Sequence, residues 1–190
     1  MTIRRFPAML ALCLPLLSLR AADATNAPPE GWQTWFPGTA RLQLLAMDEG
    51  EAYKVAGLDG AARGWVFRTD RVPPRVPGMR GEIGTLVGIG LDGRILGIRV
   101  VQQREDAKWF ARLKQDFYAS FRGLRPDAED RPDTVTGATV SSGAIVRDVF
   151  ESSRTLLALP EVQAALKTRT PAEPAEPAHR QAPGGGTAAR

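Results

Sequence analysis

Cysteine and histidine are almost missing from this chain, with one of each in 190 residues. Cys13 lies in an apolar leader and His179 in a proline- and alanine-rich tail, so the body between them has neither. Without thiols there is no disulfide, no cysteine-held iron–sulfur cluster and no thiol nucleophile. Without imidazole there is no histidine-based triad, no His-rich metal site and no His-ligated haem. A metal centre and a catalytic set of side chains are therefore not expected. Redox chemistry is open to the chain only through an organic group that it binds.

Charge of one sign is not concentrated either. The net charge is +4 and no basic stripe carries interleaved aromatics, so nucleic acid is not an expected partner. Apolar runs are short. Phe6 to Leu19 has signal-peptide length, falls short of a comfortable membrane span and is broken by Pro7 and Pro15. Arg4 and Arg5 precede it, and Ala22-Asp23-Ala24 offers small residues around a cleavage point. Residues 1–24 are thus expected to be a signal peptide, with an uncleaved N-terminal anchor as the alternative. The arginine pair also raises twin-arginine export, which the following "FPAML" fits poorly. Cys13 follows Leu12 rather than a small residue, against a lipoprotein site. The protein is expected outside the cytoplasm, in a periplasm or its equivalent.

Composition divides the rest. Residues 25–37, with prolines and tryptophans, read as a linker, and residues 38–159 as one folded domain. Residues 160–190, dominated by the Pro/Ala/Glu and Gly-Gly-Gly stretch from Thr168, read as a disordered tail. Within the domain, "EAYKVAGLDGAARGWVFRTD" reads as a hairpin around Asp59-Gly60, with Trp65 and Phe67 on one face. "GEIGTLVGIGLDGRILGIRVVQQ" reads as a second hairpin around Asp92-Gly93. Leu86, Gly88 and Gly90 share one of its faces, light enough for a flat ligand or an apposed backbone. "AKWFARLKQDFYASFRG" reads as a helix with Trp109, Leu113, Phe117 and Phe121 turned to the core, stopped at Gly123. Ile145, Val146, Val149, Phe150, Leu156 and Leu157 mark the inner face of another helix, ended by Pro160. The expected class is α+β: a twisted antiparallel sheet built from hairpins, with packed helices.

Ahead of that last helix stands "DTVTGATVSS", residues 133–142. Two readings fit these residues alone. A helix start has free N–H groups and the positive end of the dipole, so a phosphate sits well there. Gly137 lets a ligand approach, Ala138 adds little bulk, and Thr139 presents a stiff hydroxyl. Equally, Ser141 and Ser142 can cap the free N–H groups in an ordinary helix start.

The wider pattern resembles a known motif. D-x-V-[ST]-G-A-T-x-[ST] before an amphipathic helix, here Asp133, Thr136, Gly137, Ala138, Thr139 and Ser141, is similar to the flavinylation motif of the FMN-binding domain family. That family includes the flavin subunits of Rnf complexes and of the sodium-pumping NADH:quinone reductase, and the periplasmic domain of NosR-type proteins. The resemblance runs from about Glu51 to Leu157 and includes the second hairpin and "PGMRG", Pro77 to Gly81. It implies FMN joined through a phosphoester to Thr139 by a separate periplasmic flavin transferase. That enzyme would read Asp133, Gly137 and Ala138, with Thr136 and Ser141 in support. By position, Gly78, Met79 and Gly81 would lie near the flavin, while the same segment reads equally well as a Pro/Gly turn feeding a strand. One segment departs from the pattern. Rnf-type relatives carry His-x-Glu-Thr-Pro-Gly-Leu-Gly where this chain has "QREDAKWF". Glu105 can match the glutamate, no Pro-Gly-Leu-Gly follows, and Asp106 reads equally well as a helix cap.

The resemblance implies an exported electron carrier with covalent FMN, docking on a membrane redox protein or electron-transfer complex. The alternative is a flavin-based sensory or reductase-maturation module of NosR type.

Overall fold

The computed structural model describes residues 30–38 and 40–168. The expected leader and the stretch from residue 169 onward lie outside the described residues. Five strands form one antiparallel meander: β1 (Ala40–Ala46), β2 (Glu51–Gly57), β3 (Ala62–Arg68), β4 (Gly84–Gly90) and β5 (Ile95–Gln102), side by side in chain order. Four helices follow: α1 (Ala107–Phe110), α2 (Gln115–Ala119), α3 (Thr139–Leu157) and α4 (Pro160–Lys167). The architecture is α+β, as the hairpin and helix patterns imply. Both Asp-Gly turns fall where expected, with Gly60 at φ 76° and Gly93 at φ 75°. The sequence reading has no counterpart to β1. In that edge strand Leu44 and Leu45 adjoin, the first 61% exposed and the second buried, so the alternation of apolar and polar residues breaks there.

The sheet is covered on both faces. One side carries Trp65, Phe67, Val87 and Ile89, packed with Phe121, Ile145, Val149 and Phe150. On the other side Val55, Val66 and Leu86 pack with Trp32 and Phe36, and Trp35 lies against them. The glycine-lightened face thus takes a flat group, and that group is the chain's own. A Cβ on Gly88 would lie 2.5 Å from the Trp35 ring, and one on its cross-strand partner Gly97 would lie 2.4 Å from Trp35 Nε1. Residues 31–36, the end of the expected linker, close the second face of the sheet through a single 3-10 turn at Trp32–Thr34. Gly88→Val is expected to unseat Trp35 at a cost of about 1–3 kcal/mol. A lower denaturation midpoint with altered tryptophan emission would register it.

Two expectations are corrected here. The single helix over 107–123 is instead two short helices. Bonds from Arg112 N to Trp109 O (3.1 Å) and from Leu113 N to Phe110 O (3.0 Å) close α1 in a tight turn. Lys114 then adopts an extended conformation, φ −86° and ψ 175°. The break keeps Leu113, Phe117 and Phe121 buried but turns Trp109 outward, 43% exposed. Residues 160–167, expected to belong to the tail, form α4 instead. Pro160 opens α4 at the position where its missing N–H costs nothing, and Val162 is fully buried.

Helix α3 buries polar side chains as well as the expected apolar face. Ser152 Oγ donates to Val72 O at 3.1 Å, and Asp148 Oδ1 accepts from Val76 N at 2.7 Å. These bonds fasten α3 to the segment that leads into β4. Burial, aided by the charges of Asp70 and Glu82, pushes the Asp148 carboxyl from 3.8 up to about 6, against the pull of the Thr69 hydroxyl and the Val76 N–H. The folded state therefore holds this proton more tightly, and Asp148 costs stability as pH rises from about 3.8 to about 6. Asp148→Asn stays neutral and keeps the acceptor for Val76. Its thermal midpoint should match wild type below the window, pull ahead through it, and level off several degrees higher, given about 3 kcal/mol at most. A pH-independent difference would contradict this.

Candidate functional site

The expected site residues come from two separate stretches of chain, and the fold brings them together through a third, at Glu105. The first is the loop at Pro77 to Gly81. Gly78 N donates to Gly81 O at 2.8 Å, and Gly81 sits at φ 118°, so this is a tight turn with Met79 at its tip, 70% exposed. The second is the entry to α3. Ala138 N donates to Val135 O at 2.9 Å, closing a turn whose third residue, Gly137, has φ 79°. Positive φ at that place is the reason for glycine. Thr136 is exposed on the turn, Ala138 is buried, and Thr139 is the first helical residue, exposed to solvent.

Glu105 joins the two. It stands just past β5 and is 9% exposed. Oε1 accepts from Arg80 N at 2.7 Å, the Met79 N–H also reaches the carboxylate, and Oε2 accepts from Ser141 Oγ. Gly78 is needed for the same contact, because a Cβ there would lie 2.9 Å from Glu105 Oε1. Burial works to raise the Glu105 carboxyl. The hydrogen bonds from Ser141, Arg80 and Met79 and the Arg80 charge outweigh it and hold the group below its usual 4.5. Asp106 next to it caps α1, accepting from Lys108 N at 3.0 Å. The "QREDAKWF" segment is therefore both a clamp and a cap.

This arrangement corrects the reading of Ser141 and Ser142 as caps. Ser141 Oγ is spent on Glu105. Ser142 Oγ accepts from Val135 N and donates to Ala138 O, both at 2.9 Å. Ala138 occupies the N-cap position and brings no side chain to it. The first-turn N–H groups of α3 are left without a side-chain acceptor, beside a threonine whose hydroxyl makes one long contact, 3.4 Å to Val135 O. Chemically, this helix start suits an anion held at Thr139.

One neighbour escaped the sequence reading. Arg112, in the turn between α1 and α2, places Nη1 3.4 Å from Thr136 O and its guanidinium 4.7 Å from the centre of the Trp109 ring. Its contact with Thr136 spans 24 residues, so no local periodicity could have found it.

Residues 78–151 match the family model of the FMN-binding domain. The chain carries an FMN-binding domain. The match opens on Gly78 and ends within α3, so it takes in the loop, the Glu105 clamp and the entry to α3 and leaves β1 to β3 outside. No curated protein matches the chain. FMN is the cofactor of such a domain, and the residues present fit its phosphate: uncapped N–H groups, an exposed hydroxyl and a guanidinium meet at one turn.

Proposed function

We propose that this is an exported electron carrier that holds FMN by a phosphoester to Thr139. The observation that carries the reading is the state of Thr139. It is the exposed first residue of a helix that no side chain caps, in the order Asp-x-Val-Thr-Gly-Ala-Thr-x-Ser, inside an FMN-binding domain. Bound flavin supplies one- and two-electron redox chemistry, which no side chain of the described residues can. The protein's part is to hold the phosphate end and set the exposure of the ring. Gly137 gives the turn its backbone conformation, Ala138 anchors the helix start in the core, and Glu105 fixes Ser141 to the loop bearing Met79. A covalent bond also suits a protein outside the cytoplasm, where dilution would strip a loosely bound flavin. The apolar leader and small-residue site support export, hence a periplasmic flavin transferase as the modifying partner. The described residues hold no cysteine, histidine or metal-ligand cluster for a second redox centre, so other proteins are the proposed donor and acceptor, with a membrane redox complex as the partner.

The test is co-expression with a flavin transferase. The purified protein should fluoresce as flavin in a denaturing gel and gain the mass of one FMN less one water. A colourless protein of unmodified mass, produced beside an active transferase, would end the proposal.

A further inference from the structure

Arg112 is one of several arginines of the described residues that form no ion pair, and it is the one that reaches the Thr136 carbonyl in the turn before α3. Arg63, Arg68, Arg80, Arg94 and Arg125 each pair with an aspartate, whereas Arg112 pairs with no carboxylate there. It is held instead by a backbone carbonyl and a ring. Its Nη1 donates to Thr136 O, and the indole of Trp109 lies under the guanidinium at 4.7 Å. Lys108 Nζ sits 5.1 Å from the same ring. An indole left 43% exposed, with two cations on it, works as a platform for positive charge rather than as core. The guanidinium presses on the motif itself, for a Cβ on Gly137 would come within 2.1 Å of Nη1. So Gly137 serves two ends: it permits the turn, and it leaves room for Arg112.

Arg112 and Thr139 share that turn. The Thr139 hydroxyl reaches Val135 O and Arg112 reaches the next carbonyl, Thr136 O. Of the five N–H donors of a guanidinium, one is used here, which leaves a fork of the kind that binds two oxygens of a phosphate. A phosphodiester on Thr139 would carry one negative charge and two free oxygens, the pair of acceptors that such a fork takes.

We propose that Arg112 pairs with the phosphate joined to Thr139, and that Trp109 is its positioning residue. The inference rests on the attachment of FMN at Thr139. Its test uses phenylglyoxal, which modifies accessible guanidiniums, on the full chain with and without flavin, and peptide mapping of each arginine. Arg112 should react about tenfold more slowly in the loaded protein, as one charge-assisted contact would give. Arg147, exposed on α3, should react at the same rate in both and serves as the internal control. The phosphorus-31 resonance of the loaded protein should also shift in Arg112→Gln, at unchanged thermal midpoint. Should that variant load too poorly for a spectrum, the protection ratio in the wild type decides alone. A flavin-bearing protein with equal Arg112 rates, or with an unshifted resonance in Arg112→Gln, would overturn the pairing and leave the attachment standing. A chain that takes no flavin would overturn both.

Discussion

Thr139→Val is expected to give a folded protein with no covalent flavin, whereas Thr136→Val should still carry it. The two threonines look alike in the sequence and differ in the fold. Thr139 opens α3 with its hydroxyl at the uncapped end. Thr136 lies on the preceding turn, where its carbonyl, not its hydroxyl, makes the recorded contact with Arg112. Valine matches threonine in shape, and the lost contact is an exposed bond of 3.4 Å, so the stability change should stay within about 0.5 kcal/mol. Loss of the fluorescent band would then report chemistry rather than unfolding. A band that survives in Thr139→Val with the added mass elsewhere would move the attachment to another hydroxyl.

The second large effect falls on Glu105. Glu105→Ala should cost about 1–3 kcal/mol, because it strands the buried Ser141 hydroxyl and takes the acceptor from two N–H groups of the exposed loop. It should also release the loop at Gly78 to Gly81, seen as faster amide exchange at Met79 and Arg80. Glu105→Gln keeps an acceptor for Arg80 and should lose less. Its effect has a sign in pH. The folded carboxyl titrates below its usual 4.5, so its contribution is complete above that value and fades as pH falls through the folded value. Glu105→Gln should therefore narrow its deficit in acid. This trend is opposite to that of Asp148, whose burden appears as pH rises to about 6. Loop exchange unchanged in Glu105→Ala would show that the carboxylate does not hold the loop.

Much of this architecture is written in short-range signals. Asp59-Gly60 and Asp92-Gly93 specify two turns, and alternation places Trp65 and Phe67 on one face. The apolar spacing from Ile145 to Phe150 specifies α3, and the Gly-Ala-Thr string marks its start. Each signal acts within a few residues, through backbone conformation or the period of one element. The helix over 107–123 failed for the same reason. A four-residue period says which side chains can align but not whether the backbone continues, and Lys114 breaks it so that Trp109 can leave the core.

By itself the sequence determined the sheet hairpins, the entry to α3, the lack of thiol and imidazole chemistry in the body, and Thr139 as the residue of interest. Only the tertiary structure decided what surrounds that residue. It put Trp35 into the slot of Gly88 and Gly97, Arg112 against Gly137, and Glu105 between Arg80 and Ser141. The last two join residues 24 to 36 positions apart. Contacts over such distances depend on how whole elements pack, and no local pattern of charge, bulk or period encodes them.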